Sequence, residues 1–368
     1  MQPDRAMPDN QDTQIADAAR PAVGGWLLLC SVLVAAMVVL GGATRLTESG
    51  LSIVDWRPVT GILPPLDQAD WQALFDAYRQ SPEFRHVNFW MTLADFKAIY
   101  WLEYLHRLWG RVIGVVFFVP FLWLLVRRRI GTGFALRLGG LFALGALQGL
   151  LGWYMVKSGL VERTDVSQYR LAAHLALAFV IYGWLLWLAL RCLRPAADAM
   201  PGARIPLRGH AVGVLGGALL TIVAGAFVAG IDAGLAYNTF PLMDGRLVPP
   251  GALQLEPWWL NFFENTATVQ FTHRLLGVTL AAGVLGLWLR ARPMALAPVA
   301  RRVLHGLAAV AALQVALGIA TLLTAVALFT LALWAVYELG AAPPAPAGTR
   351  RPNSAAPSTK PAQQTSSP

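Results

Sequence analysis

Long apolar runs alternate with short polar stretches along nearly the whole chain. Uninterrupted runs lie near residues 24–44, 104–126, 134–156, 170–190, 210–231, 269–289 and 303–323, with a shorter eighth near 325–339. A helix needs about 20 apolar residues to cross the hydrocarbon core of a bilayer. The seven long runs therefore predict membrane helices, which satisfy their own backbone hydrogen bonds in lipid. Loop 45–100 separates the first two runs. In it Trp71, Leu74, Phe75 and Tyr78 recur at helical spacing and predict an amphipathic helix on the membrane surface. A shorter loop, 232–266, is also aromatic, with Trp258, Trp259, Phe262 and Phe263.

Composition agrees. Of 368 residues, 56% are hydrophobic and 13% charged, and the mean hydropathy is +0.53, which excludes an ordinary soluble domain. The net charge of +9 raises the question of nucleic acid. Its distribution answers it. Arg127–Arg128–Arg129, then Arg191, Arg194, Arg204 and Arg208, then Arg290, Arg292, Arg301 and Arg302 fill alternate connections, while the others mix signs. This positive-inside pattern places the N-terminus in the cytoplasm and excludes a nucleic-acid role. The two cysteines, Cys30 and Cys192, sit at different depths, predict no disulfide and form no metal-binding spacing. Span one reads as a retained anchor.

The chain repeats itself. Leu105-His106-Arg107-Leu108-Trp109-Gly110 matches Thr272-His273-Arg274-Leu275-Leu276-Gly277. A Leu-Gln pair follows each, ending at Gln148 and Gln314, and Ser49-Gly50-Leu51-Ser52 matches Ala233-Gly234-Leu235-Ala236. An even number of spans per half lets both halves insert the same way, related by an axis along the membrane normal. The predicted fold is an all-α polytopic membrane protein of two pseudo-repeated four-helix bundles, the second truncated at its last helix. The divisions are a cytoplasmic tail (1–22), an N-terminal half (23–195), a C-terminal half (208–339) and a disordered tail (340–368), which is rich in Pro, Ala, Ser and Thr.

His106, His174 and His273 each begin an even-numbered span, which puts all three at one depth near the outer face. Ionisable groups inside spans are costly and usually face the bundle interior. Neutral imidazole is a good axial ligand for haem iron, so His106 and His174 pair as a haem site, and His273 is the matching ligand of the second half. The competing reading is an interfacial histidine bonded to a carbonyl. Glu103 shares a helix face with His106 and could orient the ligand or move a proton; its match is Gln270, and a pairing with Arg107 or Lys97 stays open. Arg107 and Arg274 could meet haem propionates or simply snorkel. Trp101, Trp109, Trp258 and Trp259 read as an aromatic belt. His86 lies in a loop, and His210 and His305 start odd-numbered spans at the opposite side, outside the haem sites.

At these residues the chain resembles the haem A synthase family, in its proteobacterial and mitochondrial branch. The resemblance is carried by Gly41-Gly42-Ala43-Thr44-Arg45-Leu46-Thr47-Glu48-Ser49-Gly50-Leu51-Ser52, by Trp56-Arg57-Pro58 with Pro64-Pro65, by Pro82-Glu83-Phe84, Asn88 and Asp95-Phe96-Lys97, by Glu103-Tyr104-Leu105-His106-Arg107, by Tyr169 through His174 and by Phe271 through Arg274. It covers about residues 24–323. It implies an eight-span inner-membrane oxidoreductase that converts a methyl of its substrate haem O to a formyl group by two successive oxidations, giving haem A for cytochrome oxidase. It implies Glu103, His106 and His174 as catalytic residues around the substrate haem. It implies haem b as cofactor, held by His273 with a histidine of span eight. Haem O synthase, the farnesyltransferase, is the implied partner, beside membrane lipid and an unidentified electron acceptor; self-association is left open.

The duplication predicts four histidines, and only three are present. The apolar run passes from Gln314 to Leu339 without a polar loop or a histidine, so a segment is expected to be missing near Thr324–Ala325. Either a tight hairpin of two short spans or one long tilted helix follows. A b-type haem electron carrier and a catalytically degenerate haem-binding paralogue are the alternative functions.

Overall fold

The computed structural model describes residues 15, 19–57, 60–161, 164–194, 205–317 and 321–340. The expected tails fall largely outside them; Ile15 pairs with Ile130, α1 already starts at Arg20, and Gly340 closes the last helix.

The first half is built from α1 (Arg20–Leu46), α4 (Leu93–Val126), α5 (Thr132–Gly159) and α6 (Gln168–Leu193), with α2 (Gln68–Tyr78) and α3 (Pro82–His86) in the loop between α1 and α4. The second half holds α7 (Ile205–Gly230), the short α8 (Asn261–Glu264), α9 (Thr266–Ala291), α10 (Pro298–Leu317) and α11 (Thr321–Gly340). Among the described residues, seven helices are long and apolar enough to cross a membrane. The eighth, α11, has 20 residues, about 30 Å at 1.5 Å per residue. The molecule is an all-α, multi-pass membrane protein.

Neighbour packing runs α1–α4–α5–α6–α1 in the first half and α7–α9–α10–α11–α7 in the second. Each half is thus a four-helix bundle, and α11 fills the corner that α6 fills in the first. The bundles dock through α1, α6, α7 and α11, leaving α4, α5, α9 and α10 on the flanks. Phe329 stacks edge-on against Phe179 at 5.1 Å, and Gly183 leaves room for its ring. The Tyr337 hydroxyl donates to the Leu190 and Arg194 carbonyls, and Glu338 pairs with Arg194. These contacts bring the C-terminus of α11 to the end where α6 stops and α7 begins. The chain therefore turns back after α10, which selects the hairpin over one long helix. α11 is already helical at Thr324–Ala325, the expected junction.

Two further expectations are corrected. α2 exists, but its apolar face does not lie on the membrane: Trp71, Phe75 and Tyr78 pack on Phe96, Tyr100 and Tyr104 of α4. A capping box at Thr92 and Asp95 starts α4 well before its apolar run. The helix is 34 residues long, about 50 Å, and exceeds the roughly 30 Å hydrocarbon core. Its outer turns are what α2 covers. Nor is Trp109 part of a belt; its indole donates to the Leu33 carbonyl of α1 at 3.0 Å, joining two helices. Trp258 and Trp259 are exposed, while Trp101 packs on Trp71 and Tyr104.

Candidate functional site

In the first bundle α4 and α6 occupy diagonal corners. His106 comes from α4 and His174 from α6, so they approach the interior from opposite sides and lie within electrostatic reach of each other. His106 sits thirteen residues beyond the start of α4, because the helix extends outward past the membrane run. Each imidazole rests on a glycine of an adjacent helix. A Cβ at Gly41 of α1 would stand 3.0 Å from Cε1 of His106, and one at Gly152 of α5 would stand 3.0 Å from Cε1 of His174. A side chain at either position would press on the ring, which would have to shift by a few tenths of an ångström. Neither motif-based spacing nor composition singled out these glycines, although Gly41 belongs to the Gly-Gly-Ala-Thr-Arg run.

The Nδ1 atoms of both histidines are buried without a hydrogen-bond partner. Buried polar groups are nearly always satisfied, so these rings are suited to an acceptor the protein itself does not supply. Gln148 secures His174: its amide nitrogen donates to the His174 carbonyl at 3.0 Å and stands 3.3 Å from the ring Nε2. Two imidazoles on diagonal helices of one bundle are residues that could hold a haem iron.

The second bundle repeats the proximal half of this geometry. His273 on α9 leans on Gly225 of α7, again with 3.0 Å from a built Cβ to Cε1. Its Nδ1 donates to the Thr221 carbonyl at 3.1 Å, which leaves Nε2 as the lone-pair nitrogen. The corner diagonal to α9 belongs to α11, and no histidine follows His305 in the sequence.

Glu103 is 3% exposed. Its Oε1 accepts from Arg107 at 2.6 and 3.0 Å, and its Oε2 accepts from the Ser52 hydroxyl at 2.7 Å and the Ile53 amide at 2.8 Å. Arg107 also donates to the Ile53 carbonyl at 2.9 Å and the Asp55 carbonyl at 3.4 Å. The pair thus clamps the loop after α1 over the site. Gln270 and Arg274 do the same in the second half: Gln270 donates to the Tyr237 carbonyl at 3.0 Å, and Arg274 to those of Tyr237 and Thr239 at 2.6 and 2.5 Å. The two arginines that follow the histidines are loop anchors in both repeats. The contact of Ser52 and Ile53 with Glu103 spans about fifty residues of chain, so no local signal revealed it.

A second buried carboxylate lies under α2. Glu83 accepts from the Tyr78 hydroxyl at 2.9 Å, and Tyr78 in turn accepts from Asn88 at 2.9 Å. Burial, reinforced by the charge of Glu103, pushes the Glu83 carboxyl up to about 8.

The remaining histidines lie elsewhere. His86 is exposed on α3. His210 stands 2.9 Å from the Gly283 carbonyl and His305 accepts from Trp288, both toward the end where α9 stops and α10 begins. Cys30 and Cys192 are buried free thiols.

The family model described as cytochrome oxidase assembly protein, COX15-CtaA, matches residues 24–338, from the start of the first span to the end of α11. The chain belongs to this family. Among similar curated proteins, the "Heme A synthase" of Nitrosospira multiformis is 49% identical over 345 residues, 89% of this chain and 96% of the relative. That of Rhodospirillum centenum is 54% identical over 313 residues, 85% and 83%. That of Paramagnetospirillum magneticum is 48% identical over 348 residues, 89% and 96%. The family match runs to residue 338, so it includes α11.

Proposed function

We propose that this chain is a haem A synthase of a bacterial inner membrane, oxidising a methyl substituent of haem O to a formyl group for cytochrome oxidase. The observation that carries the reading is the first bundle: His106 and His174 converge on its interior while buried Glu103 stands three residues from His106 on the same helix. Family membership and the relatives' names support it.

In this reading His106 and His174 hold the substrate haem iron from its two faces. Gly41 and Gly152 set the ring positions, and Gln148 holds His174 in place. Glu103, kept in water-poor surroundings by Ser52, Ile53 and Arg107, serves as the proton acceptor for the reacting methyl. The clamp over the mouth excludes bulk water. Arg107 and Arg274 place positive charge at the outer rim, where propionates are met.

His273 of the second bundle would hold haem b, which would supply one-electron redox chemistry when bound. Residues Gly225 and Thr221 fix that imidazole so that Nε2 points inward. An acceptor outside the chain would take up the electrons of the oxidation, and a farnesylating synthase would supply haem O.

Co-expression with a haem O-producing enzyme in a host lacking haem A tests the reading. Extracted haems are separated by chromatography with mass detection. A haem A peak that vanishes with Glu103→Gln and His106→Ala is expected. Haem B and haem O alone, with the chain folded in the membrane, favour the second reading of a haem-binding or electron-transfer remnant. The specific observation on that side is the histidine-free α11.

A further inference from the structure

The outer ends of α1 and α7 are repeat-mates without a gap. Gly41 matches Gly225, and Ser49-Gly50-Leu51-Ser52 matches Ala233-Gly234-Leu235-Ala236 at the same offset. On this register Arg45 matches Ala229, and Glu48 matches Asp232. The backbone agrees, for Glu48 and Asp232 are both left-handed, with φ of 53° and 52°.

Arg45 crosses from one half to the other. Its Nη2 donates to the Ala229 carbonyl at 2.6 Å and to the Asp232 carboxylate at 2.9 Å. A residue that reaches its own repeat-mate stands at the axis relating the two halves. The reverse bond cannot form, because position 229 is an alanine, so one guanidinium serves both halves. Arg45 lies four residues beyond Gly41, as Ala229 lies four beyond Gly225. Each end of the bridge is thus one turn outward of a glycine that carries an imidazole, on the same helix face.

The guanidinium is not fully used. The Arg45 side chain is 16% exposed, and its Nε is buried without a hydrogen-bond partner. An unmet buried donor on a cation is costly. The arginines that follow the histidines are already committed. Arg107 gives all three guanidinium nitrogens to Glu103 and to the Ile53 and Asp55 carbonyls, and Arg274 gives both terminal nitrogens to Tyr237 and Thr239. A planar guanidinium can face two acceptors at once along different edges. Nη2 faces the second half, and Nε is the nitrogen nearest the backbone of α1.

We propose that Arg45 is a carboxylate-binding residue shared by the two halves: Nε receives an acid side group of the porphyrin held between His106 and His174, while Nη2 keeps its hold on Ala229 and Asp232. This rests on the reading of the first bundle as a haem site. Two axial imidazoles fix an iron but not the rotation of its ring about the axis through them. A cation fixed at the rim sets that rotation, and with it which methyl group meets Glu103. Arg45 is in this way a determinant of regioselectivity.

The full chain, purified in detergent from haem-limited cells, is titrated with ferric protohaem and with its dimethyl ester, which lacks the acid groups. The uptake that His106→Ala removes is scored. Wild type should prefer the free acid by about ten- to a hundredfold, the worth of a charge-assisted hydrogen bond. Arg45→Met should bring that ratio close to one while ester binding is unchanged. Arg45→Lys keeps the charge and can still pair with Asp232, but it has no Nε donor, so it too should lose most of the preference. A preference that survives in both variants, or its absence from wild type, overturns the assignment. Equal weakening of acid and ester in Arg45→Met and Arg45→Lys reduces the bridge to a structural tie and overturns it as well. Uptake of both porphyrins that is indifferent to His106→Ala overturns instead the reading of the first bundle.

Discussion

Gly41 of α1 and His106 of α4 approach so closely that a methyl group on Gly41 would stand 3.0 Å from Cε1 of the imidazole. The same contact recurs between Gly225 and His273, at the same 3.0 Å. A ring held against backbone has few rotamers left, so its nitrogens are aimed before any ligand arrives. Overpacking a well-packed site costs about 1–3 kcal/mol. Gly41→Ala is therefore expected to weaken haem retention in the first bundle by about five- to a hundredfold, and Gly225→Ala to do so in the second. Haem stoichiometry after detergent extraction measures each, and unchanged stoichiometry would show that the platforms are not needed.

Glu103 has two separable duties. Its carboxylate holds the loop through Ser52 and Ile53, and its charge pairs with Arg107. Breaking a buried ion pair by removing one partner costs about 3–5 kcal/mol. Glu103→Ala should therefore both abolish haem A and loosen residues 49–57, seen as faster amide exchange or proteolysis. Glu103→Gln keeps an acceptor for Ser52 and Ile53, so it should abolish haem A with a smaller change in the loop. Equal loosening in both variants would leave only a structural role.

Glu83 makes the outer domain sensitive to pH. Its carboxyl titrates near 8 when folded, against an ordinary value of 4.5. Between those values the folded state holds a proton that the unfolded state has released. Stability of the α2–α3 unit is therefore greatest at low pH and falls as pH rises from about 4.5 to 8. Hydrogen-exchange protection of residues 68–88, taken relative to the intrinsic rate at each pH, should fall over that window, and Glu83→Gln should flatten the trend. A trend that persists in the variant would assign it to another group.

The seat of α11 depends on Glu338, which is buried and accepts from Arg194 and, at 2.9 Å, from Trp334. Arg194 is partly exposed and can hydrate when its partner is lost, so Glu338→Ala is expected to cost about 1–3 kcal/mol rather than more. The thermal midpoint in detergent should fall accordingly, while haem in the first bundle is retained. Loss of both haems together would mean that α11 supports the whole molecule.

Much of this protein is written in its local sequence. Apolar runs of about twenty residues dictate helices in lipid, because no other structure satisfies the backbone there. Basic connections orient them, and the internal repeat pairs His106 with His273 and leaves α11 without a counterpart to His174. Tertiary structure alone decided the rest. α2 packs on α4 instead of lipid, since amphipathic spacing states that a face is covered but not by what. Trp109 reaches Leu33, and Glu103 meets Ser52 and Ile53, across distances in the chain where no periodicity carries information. The glycine platforms under the three histidines emerge only when helices are placed side by side. Local pattern sets which segments are helical; the packing of their side chains sets which atoms meet.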